Sequence, residues 1–277
     1  DAIDCLASTA ESHRRCFVVE CMGRRAGFLS LTAALVTGAE YTFIPESPPC
    51  CDRDDDMTWQ TDLCNVLRSC RTKSRASVVV VCEGAIDKNG EKISAEAVRS
   101  CIEQEVGVEA RLTVLGHVQR GGVPVPADRF IATQMGTRAV QLLLDDGYDG
   151  VPLCVGVEGT SVVALPLRDC VDQCQRAAKA LDDREFHIAQ SLRGSAFEEC
   201  LRLYRAQHDF LSSDACQAAA STSGARVGIL TVGATAPGMA TAIAGVARLL
   251  LSRGARPLGF RRGFLGLVSA TQPIEYD

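Results

Sequence analysis

Phe17-Val18-Val19-Glu20-Cys21, followed at once by Met22-Gly23-Arg24-Arg25-Ala26-Gly27, is the stretch on which the reading of the fold turns. The first five residues have strand length and are mostly apolar. The glycines then admit a tight turn, and from Ala26 to Ala39 apolar residues recur at three and four positions, the spacing of a buried helix face. The same alternation continues along the chain. Tyr41 to Ile44, Val78 to Cys82, Leu112 to Leu115 and Leu153 to Val157 read as strands; Asp56 to Arg71, Ser94 to Glu105 and Asp128 to Asp146 read as helices between them, with Ser94 as an N-cap. Strands joined by helices of this length need right-handed crossovers, which predicts an α/β fold of mostly parallel sheets flanked by helices. Sheets of this kind place ligands at the carboxyl ends of their strands.

Beyond Leu167 the strand signal stops, and three helical stretches, Val171 to Leu181, Arg184 to Leu192 and Ala196 to His208, predict a connector with Gly194 as a stop. Ser212 to Gly224 has no periodicity and reads as a hinge. The α/β pattern then restarts with a strand at Val227 to Val232, a glycine turn to Gly238, a helix from Met239 to Ser252 and a strand at Pro257 to Phe260. The expected domains are therefore residues 1–166, a connector and hinge over 167–224, and the opening of a second α/β half over 225–277. Asp1 is not a methionine and the first residues read as mid-helix, the pattern of a piece of a longer protein.

The chain has 277 residues, 29 Lys+Arg against 34 Asp+Glu, a formal charge of −5 and 47% hydrophobic residues, so it can bury a core and offers no basic footprint for nucleic acid or an anionic membrane. Nearly all the positive charge is arginine, whose planar fork fits phosphate and carboxylate. Its 14 cysteines form no C-x-x-C pair and have no histidine at metal-finger spacing, so no metal site is expected. With no secretory signal and no apolar run of membrane length, the expected setting is the cytoplasm, with free thiols.

Three strand ends carry the candidate chemistry. Gly23 lets backbone approach a ligand, and amides at the following helix start favour an anion beside Arg24; a turn with solvated arginines is the competing reading. Arg15 stands at the entrance of the same strand and reads equally as a surface residue. Glu83-Gly84 ends the Val78 to Cys82 strand and puts a carboxylate where sugar hydroxyls could donate to it. The strongest run is Arg111-Leu112-Thr113-Val114-Leu115-Gly116-His117-Val118-Gln119-Arg120-Gly121-Gly122, a strand followed by His, Gln and Arg and then paired glycines. Arg111 and Arg120 flank His117, so guanidinium and imidazole groups could grip phosphate oxygens together. Asp128-Arg129 reads as a helix-terminus pair, and His13, His187 and His208 as solvated surface.

Together with Ser12-His13-Arg14-Arg15, Phe43-Ile44-Pro45-Glu46, Cys82-Glu83-Gly84-Ala85-Ile86-Asp87, Leu192-Arg193-Gly194 and Ser195-Ala196-Phe197, these motifs resemble the ATP-dependent 6-phosphofructokinases of the two-half animal type. The resemblance runs in order from the latter part of the first half, through the connector, into the second. It implies transfer of the ATP γ-phosphoryl group to the 1-hydroxyl of fructose 6-phosphate, in glycolysis. It implies that Met22, Gly23 and Arg24 contact the sugar phosphate, that Arg24 also stabilises the transferring group, that Glu83 holds sugar hydroxyls, and that His117, Val118, Gln119 and Arg120 grip the 6-phosphate. Arg15 and Arg111 match arginines that reach across a homo-oligomer interface into a neighbouring subunit's site.

Where the sequence departs from the pattern, it limits these implications. The glycine-rich ATP and magnesium loop and the Thr-Ile-Asp segment with the catalytic base precede Asp1 in the family's order, so ATP and Mg are cofactors implied for the full-length enzyme only. Val123, Val125, Pro126 and Ala127 replace a polar and aromatic run, and in the second half Ala234 and Ala240 stand where the family often has Gly, Ala or Asn. Ala244 stands where an effector-binding arginine is common, which leaves Arg248 as the remaining candidate of that pair. Two alternatives follow: a catalytically silent sugar-phosphate-binding or regulatory protein, or a chain whose missing ATP face leaves core exposed.

Overall fold

The computed structural model describes residues 1–52, 56–71, 76–145, 148–212, 225–233, 236–269 and 273–276. Most of the expected hinge, residues 213–224, lies outside them, as does Ala234. The chain divides into two compact units, Asp1–Cys64 with Ala76–Leu201 and Asn65–Arg75 with Arg202–Asp277.

In the first unit, β1 (Cys16–Cys21), β2 (Tyr41–Phe43), β3 (Ser77–Cys82) and β4 (Ala110–Val114) form a parallel sheet in the order β2-β3-β1-β4. Side chains alternate across the strands. Phe17, Val19 and Cys21 of β1 and Val78 and Val80 of β3 share one face, where Ile3 and Ala10 of α1 (Ala2–His13) and Ala34 of α2 (Phe28–Thr37) close over them. Val18, Val79 and Val81 alternate with these and are fully buried. The opposite face belongs to α4 (Ala95–Cys101), which packs on β1 and β4. The α2 crossover from β1 leads towards β2, whereas the α4 crossover from β3 leads the other way to β4; right-handed connections in opposite directions must cover opposite faces. Each fully buried valine is worth about 1.5–3 kcal/mol.

Local signals place the element ends. Ser94 Oγ accepts the Ala97 N–H at 3.1 Å, the cap expected from sequence. The helix then widens into a π turn over Ile102–Val106 and stops at Gly107, φ 70°. Asp128 stands in the first turn of its helix, where a carboxylate complements the dipole, and Arg129 Nε donates to the Pro124 carbonyl at 3.0 Å. Between β2 and β3 lies α3 (Trp59–Arg71).

The run from Leu153 turns out to be one arm of an antiparallel hairpin, β5 (Leu153–Glu158) with β6 (Ser161–Pro166). The second arm carries its own apolar run, Val162 to Leu165, which the sequence reading did not take up as a strand. Alongside, α5 (Pro126–Leu143) has no buried residue, and Phe130, Val140 and Leu143 are exposed on it. The connector has the three expected helices: α6 (Leu167–Asp182), α7 (Phe186–Leu192) and α8 (Ser195–Ser212), with Gly194 at φ 88° between the last two. Ala180, Leu181, Phe186 and Ala189 join α6 to α7.

In the second unit, β7 (Arg226–Ile229) pairs in parallel with β8 (Arg256–Gly259), and α9 (Met239–Ser252) connects them. After α10 (Gly263–Val268), β9 (Ile274–Glu275) returns antiparallel to β8. Among the described residues every cysteine is a free thiol, and no helix is long and apolar enough to cross a membrane.

Candidate functional site

Cys21 of β1 lies level with Cys82 of β3, and Glu20 with Val114 of β4. Because the three strands run the same way, this register brings the chain leaving each of them to one edge of the sheet. The three exits are the Met22–Gly27 turn, Glu83-Gly84, and a 3-10 turn over Gly116–Arg120.

The exits are tied to one another. The Met22 N–H donates to Gln119 Oε1 at 2.8 Å, joining the β1 turn to the β4 turn. Cys82 Sγ donates to the Gly23 carbonyl at 2.7 Å. Burial pushes the Cys82 thiol up to about 11, so it keeps the proton it donates. Arg24 Nε stands 3.9 Å from Glu83 Oε1, a loose ion pair whose arginine side chain is 93% exposed, so the guanidinium is free to meet an anion. Gly23 has φ 149° and Gly84 lies under the turn; a Cβ on Gly84 would run into the Arg24 carbonyl oxygen and stand 3.0 Å from that of Gly23. His117, Val118 and Arg120 are exposed on the 3-10 turn.

Two residues are elsewhere. Arg15 precedes β1, and Arg111 is level with Phe17 near the start of β4, so both sit at the amino edge of the sheet. Arg111 is therefore a strand's length from His117 and does not flank it spatially, although the two are six positions apart. Glu109 joins these arginines: Arg15 Nε donates to its Oε2 at 2.7 Å and Arg111 Nη2 donates to its Oε1. Hydrogen bonding from Arg15, with the charge of Arg111 adding to it, holds the Glu109 carboxyl below its usual range. Arg248 is exposed on α9 in the second unit.

A set of residues that sequence reasoning gave no role holds the Met22–Gly27 turn from behind. Glu46 is fully buried and accepts the Gly27 N–H at 2.9 Å on Oε2 and 3.1 Å on Oε1. Arg193, at the end of α7, donates from Nε to Glu46 Oε1 at 2.8 Å and from Nη2 to the Arg25 carbonyl. Gln190 Nε2 donates to the Glu46 carbonyl at 2.7 Å. Arg25 makes a two-pronged bond to Asp182 of α6, at 3.0 and 2.9 Å. Burial pushes the Glu46 carboxyl up, and the Arg193 charge and the Gly27 N–H draw it part of the way back. The one available signal was the pairing of Pro45-Glu46 with Leu192-Arg193-Gly194 within one resemblance. A cavity of about 260 Å³ opens beside this contact, with Arg24, Gly84, Asp182 and Arg184 in its wall.

The phosphofructokinase family model matches residues 1–143 and 226–276. Human ATP-dependent 6-phosphofructokinase, muscle type, is 39% identical over 269 residues, which cover 96% of this chain and 33% of the human protein. Phosphofructokinase from Saccharomyces cerevisiae superposes with a TM-score of 0.91 at 34% identity, over 100% of this chain and 35% of the yeast chain. The Pichia pastoris phosphofructokinase gives 0.89 at 34% identity, over 100% of this chain and 30% of that one. The chain thus spans about a third of the length of these relatives.

Proposed function

The chain belongs to the phosphofructokinase family, and from that premise we propose that the cluster at the ends of β1, β3 and β4 is the fructose 6-phosphate site of a longer 6-phosphofructokinase. One observation carries the reading: the common register of three parallel strands gathers Met22 to Arg24, Glu83 and the His117 to Arg120 turn at one edge, with the Met22 N–H on Gln119 fixing two of the three together.

The chemistry follows from these groups. A sugar phosphate presents hydroxyl donors and a dianion. Glu83 accepts from the hydroxyls; His117 and Arg120 donate to the phosphate, with Val118 and Gln119 shaping the turn between them. Arg24 lies beside Glu83 and would cross from the sugar to the group in flight. Phosphoryl transfer passes through a loose transition state with charge spread over three equatorial oxygens, so a positioned guanidinium contributes by stabilising that charge.

ATP and magnesium supply the transferred group and its charge neutralisation in the full-length enzyme. Among the described residues no group of three His, Cys, Asp or Glu side chains could hold a metal ion; ATP and magnesium are assigned no residues in this chain, and no step is derived through them. The base for the 1-hydroxyl is likewise assigned to none of these 277 residues. Arg15 and Arg111, displayed together by Glu109 at the far edge, are assigned to the site of a neighbouring subunit in a homo-oligomer, and Arg248 to effector binding in the second half. The cytoplasm is the proposed location, and residues 1–166, 167–224 and 225–277 the proposed sugar side, connector with hinge, and regulatory opening.

Titration calorimetry of the 277-residue chain with fructose 6-phosphate tests the reading. Binding by the native chain and at least a tenfold loss in Arg24→Ala are expected; equal affinity in both would overturn the assignment of Arg24. In the longer parent the same substitution is expected to lower turnover. A silent sugar-phosphate-binding protein would instead show binding and no turnover in the parent.

A further inference from the structure

The connector helices do more than join two halves, because they reach the substrate turn through a buried charge. Glu46 is 144 positions from Gln190 and 147 from Arg193, yet its backbone carbonyl and its carboxylate are each taken by one of them. On its other side the same carboxylate receives the Gly27 N–H, from the last residue of the substrate turn. Arg193 spans both: Nε on Glu46 and Nη2 on the Arg25 carbonyl, one residue past Arg24. Asp182, from α6, grips the Arg25 side chain. The Arg25 side chain, the Arg25 carbonyl and the Gly27 N–H therefore lead directly, or through Glu46, to α6 or α7, while the Ala26 carbonyl between them meets Cys82 Sγ of β3 at 3.8 Å. The fit is close, since a Cβ on Gly27 would stand 2.8 Å from Glu46 Oε2.

A buried pair of this kind is a poor source of stability. Desolvation is the largest influence on the Glu46 carboxyl and opposes its ionisation, so its partners do not fully repay the loss of water. What the pair does supply is direction: two guanidinium donors and two carboxylate oxygens fix the height and tilt of a turn that must hold Arg24 in register with Glu83.

We propose that Arg193 is a positioning residue for the sugar-phosphate site, acting through Glu46 to set the Met22–Gly27 turn, so that the connector's placement governs affinity for fructose 6-phosphate. This rests on the reading of that turn as the sugar-phosphate site. Movement of α6 and α7 then becomes movement of Arg24, and a signal arriving along the connector reaches the substrate without touching it.

The test uses the 277-residue chain and three variants, Arg193→Ala, Arg193→Lys and the double variant Glu46→Gln with Arg193→Met. Each is examined by chemical denaturation, calorimetry with fructose 6-phosphate, and amide hydrogen exchange of the peptide spanning residues 22–30. Arg193→Ala leaves a buried carboxylate without its cation and is expected to lower stability as well as affinity. The double variant removes both charges and is expected to recover stability, yet to bind at least tenfold more weakly and to exchange the Gly27 amide at least tenfold faster than the native chain. Arg193→Lys keeps the ion pair but not the fork, and is expected to fall between. A double variant that recovers native affinity together with native stability would reduce Arg193 to a structural role and overturn the proposal. Native exchange at Gly27 in the double variant would overturn it too. If the native chain binds no fructose 6-phosphate while exchange accelerates as expected, the connector's hold on the turn stands and the sugar-phosphate reading fails.

Discussion

Replacing Gly84 with alanine adds a single methyl just past the end of β3, beneath the Met22–Gly27 turn. The glycine is not needed for an unusual backbone angle; it is needed for space, because the new Cβ would overlap the Arg24 carbonyl oxygen and stand 3.0 Å from the Gly23 carbonyl oxygen. Both are backbone atoms. Neither can swing aside as a side-chain tip would, so the turn must lift by about 1 Å or more to reach ordinary contact. The turn is also held from above by the Met22 bond to Gln119 and from behind by Glu46, so lifting it strains both. Overpacking of this kind costs about 1–3 kcal/mol of stability. A displacement near 1 Å in a positioning element is worth about 100-fold in function, or about 2.8 kcal/mol at 1.4 kcal/mol per tenfold. Calorimetry with fructose 6-phosphate, beside a urea melt, measures both. Gly121→Ala is the internal control, since its Cβ would meet only the Val118 carbonyl oxygen at 3.8 Å. If Gly84→Ala bound as tightly as Gly121→Ala and melted at the same urea concentration, the close approach of β3 to the turn would be wrong.

Gln119→Leu removes the acceptor of the part-buried Met22 N–H, and is expected to lower stability by about 1–3 kcal/mol and to weaken sugar-phosphate binding; an unchanged urea midpoint would count against that bond. Glu109 and Glu46 should give pH slopes of opposite sign. The arginines hold Glu109 below the ordinary carboxyl value of 4.5, so its contribution is complete above that pH and is lost as pH falls through the lower folded value. Burial holds Glu46 above 4.5, so stability falls as pH rises from there through the raised folded value. Urea midpoints of Glu109→Gln and Glu46→Gln between about pH 3 and 8 should lack the corresponding limb; variants that keep the native slopes would contradict these assignments. Mass spectrometry after brief iodoacetamide treatment at about pH 8 should find Cys5 and Cys174 alkylated and Cys82 intact, because the first two are exposed while Cys82, raised to about 11, holds almost no thiolate. Early labelling of Cys82 would show that its bond to Gly23 opens readily.

The parallel sheet was legible because β1 and β3 are buried on both faces, so their residues form the unbroken apolar runs Phe17 to Val19 and Val78 to Cys82. The same burial made the strand ends, and with them Arg24, Glu83 and His117, easy to place. Ser94 announced its helix because a cap is a local event. Contacts made by distant parts left no such trace. Glu46 and Arg193 are bound across a separation of 147 positions, and nothing in either neighbourhood marks a buried charge. Gly84 reads as an ordinary loop glycine until the Arg24 carbonyl is seen above it. Arg111 misled by proximity in sequence: it is the second residue of the five-residue strand that leads to the turn carrying His117, and a strand places its two ends at opposite edges. Ser161 to Pro166 was legible in its run Val162 to Leu165, with Gly159 marking the turn before it, and went unread.

The bond between Met22 and Gln119 joins residues 97 positions apart. During synthesis at about 5–20 residues per second, β1 emerges from the ribosome roughly 5–20 s before its partner turn exists. Until then the edge of β1 that faces β4 stays unpaired, although β3 reaches its other edge sooner, so a nascent chain stalled between β3 and β4 should attract chaperones more strongly than one released after Gly121.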